Sequence, residues 1–377
     1  MKKCLKIGVV CYPTYGGSGV VATELGQSMA ALGHQIHFIT YKRPARLSTF
    51  QANVYYHEVT NFEYPLFDFK PYDTALASKI VDIALHHDLD LLHVHYAIPH
   101  AIIAFIAKSI LKSKDKNLPV ITTLHGTDIT LVGLDASFYP VVQFSLNQSD
   151  FVTAVSDSLR LDTLNAFKIS RDVEVIPNFI DSKRFFPSPK PELRKIFAGP
   201  GEKILMHISN FRKVKRIQDI IQCYARVNEV IPSRLILIGD GPERVTLEDL
   251  CRDLKISDKV IFLGKQESIE TLLNIADVFF LTSDHESFGL SALEAMSCGV
   301  PVVSSNIGGI PEVNLNGFSG FTCDVGNVDE LTEKTLNILR DPSRFEDFKK
   351  NAIEQASKFE LNKILPRYLD LYYRALQ

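Results

Sequence analysis

Lys203-Ile-Leu-Met-His-Ile208, followed at once by Ser209-Asn-Phe-Arg-Lys-Val-Lys-Arg216, restarts a pattern that the chain has already run once. The first run opens at Lys6-Ile-Gly-Val-Val10, passes a glycine cluster and a helical stretch over 19–32 that stops at Gly33, and returns to a strand at 35–39. Short apolar strands at 91–95, 120–124 and 151–155 continue it. After the restart, strands are expected at 234–238, 259–263, 277–281, 300–304 and 320–323, with helical stretches between most of them. Near-continuous apolar strands separated by helices predict parallel sheets covered on both faces. The predicted class is therefore α/β, with two doubly wound, Rossmann-like units and a cleft between them. The seam is placed in Pro177-Asn-Phe-Ile-Asp181 and in the stretch 186–200, whose Pro187, Pro189, Pro191 and Pro200 suit a connector rather than a helix interior. The expected division is 1–176 and 177–357, with a terminal helix at about 358–377 returning to the first unit.

Length agrees, since 377 residues exceed one ordinary core and two domains are the natural prior. Forty-one Lys and Arg against 44 Asp and Glu leave a net charge of −3, which excludes a nucleic-acid or anionic-membrane binder driven by bulk charge. A hydrophobic content of 46% with 23% charged residues describes a folded chain and not a disordered one. The apolar stretch 7–11 is too short for a secretory core and the run 101–107 is too short to span a bilayer. The six cysteines, at 4, 11, 223, 251, 298 and 323, form no C-x-x-C pair, and read as free or buried thiols in a reducing cytoplasm.

Open parallel sheets bind ligands beyond the carboxyl ends of their strands, and three motifs follow strands here. Tyr15-Gly16-Gly17-Ser18-Gly19 either offers helix-start N–H groups to an anion or simply links strand to helix. Glu286-Ser-Phe-Gly-Leu-Ser-Ala-Leu-Glu294 sets two carboxylates eight positions apart, one in a loop and one inside a helix starting near Phe288 or Gly289. Both can face one ligand, with a phosphate at the helix start, or both are ordinary surface glutamates. The 209–216 segment holds four cations, Arg212, Lys213, Lys215 and Arg216, and is a phosphate-binding loop or a solvated charge run. Gly239-Asp-Gly-Pro242 and Gly308-Gly-Ile-Pro-Glu312 add turns to the same rim.

Taken together, Glu286 to Glu294, the Gly239–Pro242 turn, Gly299-Val-Pro-Val302, Gly308–Glu312 and Gly320-Phe321 resemble the family 4 glycosyltransferases over essentially the whole chain. The resemblance implies the GT-B fold, a nucleotide-sugar donor, retention at the anomeric carbon and no cofactor, fixed cations taking the place of a metal. It implies that the first unit binds the acceptor and the second the donor. It assigns Glu294 to the donor ribose, Glu286 to the sugar, and a basic pair at 209–216 to the diphosphate. Lys215 matches the family's Lys, whereas its usual Arg position is Asn210 here and Arg212 is the candidate substitute. Gly17, Ser18, Asn210, Gly241, Phe288, Gly289 and Leu290 are then donor-side residues, and His125, Lys215, Arg212 and Glu286 are the catalytic candidates. Four further blocks, Cys11–Gly19, His93–His100, Thr122–Asp128 and Asn210–Arg216, are similar to a branch of the family that joins N-acetylglucosamine, from its UDP derivative, to L-malate in bacillithiol biosynthesis. On that resemblance Tyr96, Thr123 and Arg46 are acceptor-side candidates. Arg46 is equally readable as a plain surface charge. A family member acting on a lipid or cell-wall acceptor, and a non-catalytic nucleotide binder, are the competing classes.

Other signals carry less. Asp88-Leu-Asp90 imitates a D-x-D metal motif but precedes a buried strand beside His86 and His87. His93 and His95 share a strand face, yet two histidines without a third ligand are weak grounds for zinc. His125 follows a strand end and leads into Gly126-Thr127-Asp128, which favours function over packing. No metal site is expected.

Overall fold

The computed structural model describes residues 4–14, 16–48, 50–60 and 71–377, so Tyr15 of the glycine motif lies outside the described residues. The chain divides into two compact units, Met1–Asn178 with Asn362–Gln377, and Phe179–Leu361.

The first unit is built on β1 (Lys6–Val10), β2 (Gln35–Thr40), β3 (Val54–Glu58), β4 (Leu91–His95), β5 (Val120–Leu124), β6 (Phe151–Ala154) and β7 (Val173–Val175). They form one seven-stranded sheet in the order β3-β2-β1-β4-β5-β6-β7, parallel at every pairing. Strands β4 and β5 are buried along their whole length, which is why they read as unbroken runs rather than alternating ones. One face of the sheet packs Leu76, Ile80 and Ile83 of helix Tyr72–His86 and Ile103, Ala104 and Ala107 of helix Ile102–Lys112 against Leu92, Val94 and Val120. Truncating one such side chain to alanine typically costs about 2–5 kcal/mol.

The second unit contains β8 (Lys203–Ile208), β9 (Ser233–Ile238), β10 (Val260–Gly264), β11 (Val278–Leu281), β12 (Val302–Ser305) and β13 (Gly320–Cys323). Its six strands run in the order β10-β9-β8-β11-β12-β13, again all parallel. Helix Ile217–Val230 buries Ile220, Ile221, Tyr224 and Val227 on this sheet.

Two strands escaped the sequence reading. β3 is half exposed and carries Tyr, His and Glu, and β7 is only three residues long, so neither has an apolar signature. The proline-rich stretch contains a helix, Pro191–Phe197, which corrects its reading as plain connector. Pro191 occupies the first turn, where its missing N–H would be unpaired in any case and its fixed φ favours helix.

Candidate active site

In each sheet the strand order reverses once, between β1 and β4 in the first and between β8 and β11 in the second. Neighbouring connections leave in opposite directions there, so the carboxyl ends are left open to a ligand. Most of the sequence candidates collect at these two points.

In the second unit, β8 runs into a short 3-10 turn, Lys213–Lys215, which places Lys215 Nζ 2.8 Å from Glu286 Oε2 in the loop after β11. Backbone contacts fix both sides of this pair. The Thr282 hydroxyl donates to the Lys215 carbonyl at 3.0 Å, and the Asp284 N–H donates to the Val214 carbonyl at 2.8 Å. Behind Glu286, the Gly309 N–H donates to its carbonyl at 3.0 Å. Gly308, at φ +57°, sits so close that a Cβ would enter the Glu286 carbonyl. Only glycine fits both the space and the left-handed backbone.

The four cations of this loop differ. Arg216 is consumed within the unit, with Nε 2.6 Å from Asp219 and Nη1 3.3 Å from Asp284, and Asp219 holds its guanidinium above the usual range. Arg212 is exposed and has no ion-pair partner among the described residues. Asn210 is exposed beside it, its carbonyl accepting from the Arg212 N–H at 2.8 Å. Beneath them His207 donates from Nδ1 to the Phe280 carbonyl at 2.9 Å and accepts from the Ser209 hydroxyl at 2.7 Å. Burial pushes it down to about 4, so it supports the loop as a neutral ring.

Helix Leu290–Ser297 starts at Gly289, φ +92°, with no side-chain cap and no acidic residue in its first turn. Its first N–H groups therefore remain available to an anion. Glu294 lies one turn in and is buried, while Phe288 turns away from solvent against Phe359 at 5.5 Å. Gly241 lies in the β9 loop, where Asp240 Oδ1 accepts its N–H at 2.8 Å and its backbone abuts Phe211.

In the first unit, Gly17 and Ser18 open helix Gly17–Ala31, which likewise has no side-chain cap and no acidic residue in its first turn. Gly19 follows, packed so tightly on the Tyr12 and Thr14 carbonyls that a Cβ would displace backbone. Across the switch point, Tyr96 leaves β4 at φ +86° and its N–H donates to the Thr123 carbonyl at 2.9 Å. Its ring lies 5.3 Å from both Tyr12 and His125.

His125, at the end of β5, is half-buried, and its Nε2 lies 2.8 Å from His95 Nδ1. Burial pushes His125 down to about 3, so the pair shares one hydrogen bond between neutral rings. His125 Nδ1 takes no hydrogen bond among the described residues. The loop itself is shaped by Asp128, whose carboxylate accepts from the N–H groups of Ala97 at 2.8 Å and Gly126 at 2.9 Å. Burial raises this carboxyl to about 6 against the lowering effect of those N–H groups.

Two acceptor-side candidates have side-chain partners within the first unit. Thr123 is buried, its hydroxyl 2.7 Å from both His93 Nε2 and Thr153 Oγ1, so it belongs to an interior network rather than to a ligand surface. Arg46 pairs with Glu24, Nη1 to Oε1 at 2.8 Å. The discounted residues have partners of their own. Asp90 accepts from the Lys6 N–H at 2.8 Å and Asp88 pairs with Lys116. His93 reaches Tyr372 of the terminal helix Leu361–Ala375, Nδ1 to hydroxyl 2.8 Å.

Sequence patterns give Asp128, Tyr12 and Tyr372 no role of their own. Asp128, three residues after His125 at a helix start, carried a readable signal. Tyr372 carried none, standing 279 positions from its partner.

Comparison with known proteins follows the same division. Residues 15–184 match the family described as Glycosyltransferase Family 4, and residues 189–355 match Glycosyl transferases group 1. N-acetyl-alpha-D-glucosaminyl L-malate synthase of Bacillus anthracis is 46% identical over 99% of this chain and 98% of its own. An uncharacterized glycosyltransferase of Methanocaldococcus jannaschii is 27% identical over 99% of both chains. Among solved structures, Anabaena HepE in complex with UDP and glucose superposes with a TM-score of 0.84 at 22% identity, covering 98% of this chain and 99% of that one. Sucrose-phosphate synthase from Thermosynechococcus elongatus gives 0.83 at 20% identity, covering 98% of each. With its two parallel-sheet units and this kinship over its full length, the chain belongs to the family 4 glycosyltransferases of GT-B fold, and is a hexosyltransferase.

Proposed function

We propose that the chain moves N-acetylglucosamine from UDP-N-acetylglucosamine to the hydroxyl of L-malate with retention of configuration, as the first step of bacillithiol biosynthesis. The observation that carries this reading is the 46% identity, over nearly the whole of both chains, to a synthase whose name states the sugar and the acceptor. The α-configuration in that name matches retention, since the donor's sugar is itself α-linked.

The site supports the chemistry as follows. As the bond from the anomeric carbon to the β-phosphate oxygen breaks, negative charge grows on that phosphate. Lys215 and Arg212 supply fixed positive charge to it, and the uncapped N–H groups at Leu290 and at Gly17–Ser18 supply dipoles. Glu286, oriented by Lys215, holds a sugar hydroxyl, and Glu294 accepts from the ribose. The malate hydroxyl attacks from the face the nucleotide leaves, and its proton passes to the departing phosphate oxygen. His125, neutral at working pH, orients sugar or phosphate through Nδ1 rather than acting as the main base. Tyr96 and Arg46 are the acceptor-side candidates.

The test is UDP release from UDP-N-acetylglucosamine with a panel of acids, followed by mass analysis and proton NMR of the product. L-malate should turn over and give the α-anomer. Succinate, with no hydroxyl, should give no product, and lactate, with one carboxylate fewer, should be a much poorer acceptor because a cation is left unpaired. Equal rates with malate and lactate would remove the two-carboxylate acceptor, and a β-anomer would remove retention.

A further inference from the structure

The active-site reading leaves unused a cluster of three histidines on the far side of the first unit. His37 lies in β2, His57 in the edge strand β3, and His87 caps helix Tyr72–His86 just before β4. One ring nitrogen from each lies within 4.8 Å of the other two, and this is the one such group of three ligating side chains among the described residues. His37 pairs in register with Gly8 of β1 and Tyr55 of β3, in the first half of its strand. His87 precedes the amino end of β4. The cluster is therefore at the opposite end of the strands from Gly17, Tyr96 and His125.

Its geometry is that of a ligand set. His37 Nδ1 and His57 Nε2 are 2.9 Å apart with the ring planes within 7° of parallel, a hydrogen-bonded pair whose proton an ion could replace. The His87 ring centroid closes the triangle at 4.6 Å from His37 and 5.2 Å from His57. Without an ion, one proton bridges the His37–His57 pair. His37 is wholly buried, and its Nε2 has no hydrogen-bond partner, so neither tautomer satisfies both of its nitrogens. The stacked Tyr55 ring, 4.7 Å from His37, fixes the imidazole plane. Burial also pushes His37 down to about 3 and His57 down to about 4, which keeps both rings in the neutral form that binds metals. Lys6 and Lys79 stand near enough to oppose a cation, and Asp82, near His57, favours one.

The geometry points to a binding site for a borderline divalent transition ion of the zinc class, held by His37, His57 and His87 with a remaining position open to water. Three imidazoles with an open fourth position suit zinc, cobalt, nickel and copper rather than magnesium or calcium, which take oxygen ligands. Such an ion would join β2, the edge strand β3 and the end of helix Tyr72–His86. It takes no part in the proposed transfer reaction and is independent of the acceptor's identity.

The test uses the untagged full chain stripped with a chelator and titrated with Co²⁺ by visible absorption and with Zn²⁺ by calorimetry. One saturable equivalent is expected, with Zn²⁺ displacing Co²⁺ and raising the melting temperature. His57→Gln and His87→Gln, both at half-buried positions, should each weaken binding by at least about 10–100-fold, a loss of the size that even indirect disturbance of a metal site produces. His86→Gln, exposed and outside the triangle, should bind as the wild type does. Absence of a saturable equivalent, binding unchanged in the His57→Gln, His87→Gln double variant, or a thiolate charge-transfer band assigning the ion to a cysteine such as exposed Cys4 would each overturn the site.

Discussion

In the proposed reaction, Lys215 is a single charge that serves both structure and catalysis. Its ammonium lies 2.8 Å from Glu286, with both side chains 20% exposed, so water can reach the Glu286 carboxylate once the ammonium is removed. Removing it should cost little stability. Its larger role in the proposed mechanism is toward the phosphate charge that develops only in the transition state, where removal of one fixed stabilising group costs roughly a hundredfold or more in turnover. Lys215→Ala should therefore lose activity by about that factor while its thermal melt stays near the wild type's. A parallel collapse of both would make Lys215 a structural residue. The sequence showed four cations in this loop. It did not show that Arg216 is consumed by Asp219 and Asp284 while Arg212 is left without an ion-pair partner among the described residues, because those partnerships depend on the loop's path.

At the scale of elements, the terminal helix Leu361–Ala375 is part of the first unit although 183 residues of the second intervene, from Phe179 to Leu361. It buries Ile364, Tyr368, Leu371 and Tyr372, and through Tyr372 it satisfies a nitrogen of His93 inside the sheet. Tyr372→Phe keeps the ring and removes the hydroxyl, leaving that buried nitrogen unpaired at a cost of about 1–3 kcal/mol. The expected result is a lower melting temperature with UDP binding unchanged, and an unshifted melt would show that the hydrogen bond contributes nothing. Elements were legible wherever burial on both faces wrote an unbroken apolar run, as in β1, β4, β5 and β8. They were illegible at the edges of the first sheet, where β3 and β7 carry the composition of loops, and at Pro191, where a residue that usually breaks a helix begins one.

Over the whole molecule, several buried histidines bias stability in one direction. His93 and His125 are pushed to about 3, and His100 and His207 to about 4, against 6.5 when exposed. Below 6.5 the unfolded chain takes up protons that the folded one refuses, so the folded state loses stability as pH falls from about 6.5 toward the folded values. Asp128 works the other way. Its carboxyl is raised to about 6 from 3.8, so its contribution is present below 3.8 and is lost as pH rises through 6. Four histidines outweigh one carboxyl, and the urea midpoint should be flat above about pH 7 and fall steadily on acidification to about pH 4.5. A midpoint constant across that range would mean the rings are protonated, or hydrated, in the folded state.

The α/β class, the two-unit repeat and the strand ends where ligands gather were fixed locally, because apolar periodicity and glycine turns act over a few residues. His125 could be named from its place at a strand end, whereas Lys215, Arg212 and Glu286 stood in local motifs whose roles came from the family resemblance. Tertiary structure alone decided which of them meet. It brought Lys215 to Glu286 across 71 positions and His125 to His95 across 30, and it drew Thr123 into the interior. It also gathered His37, His57 and His87, which no motif connects. Parallel crossovers set residues side by side in space regardless of their separation in sequence, so contacts of this kind leave no local trace.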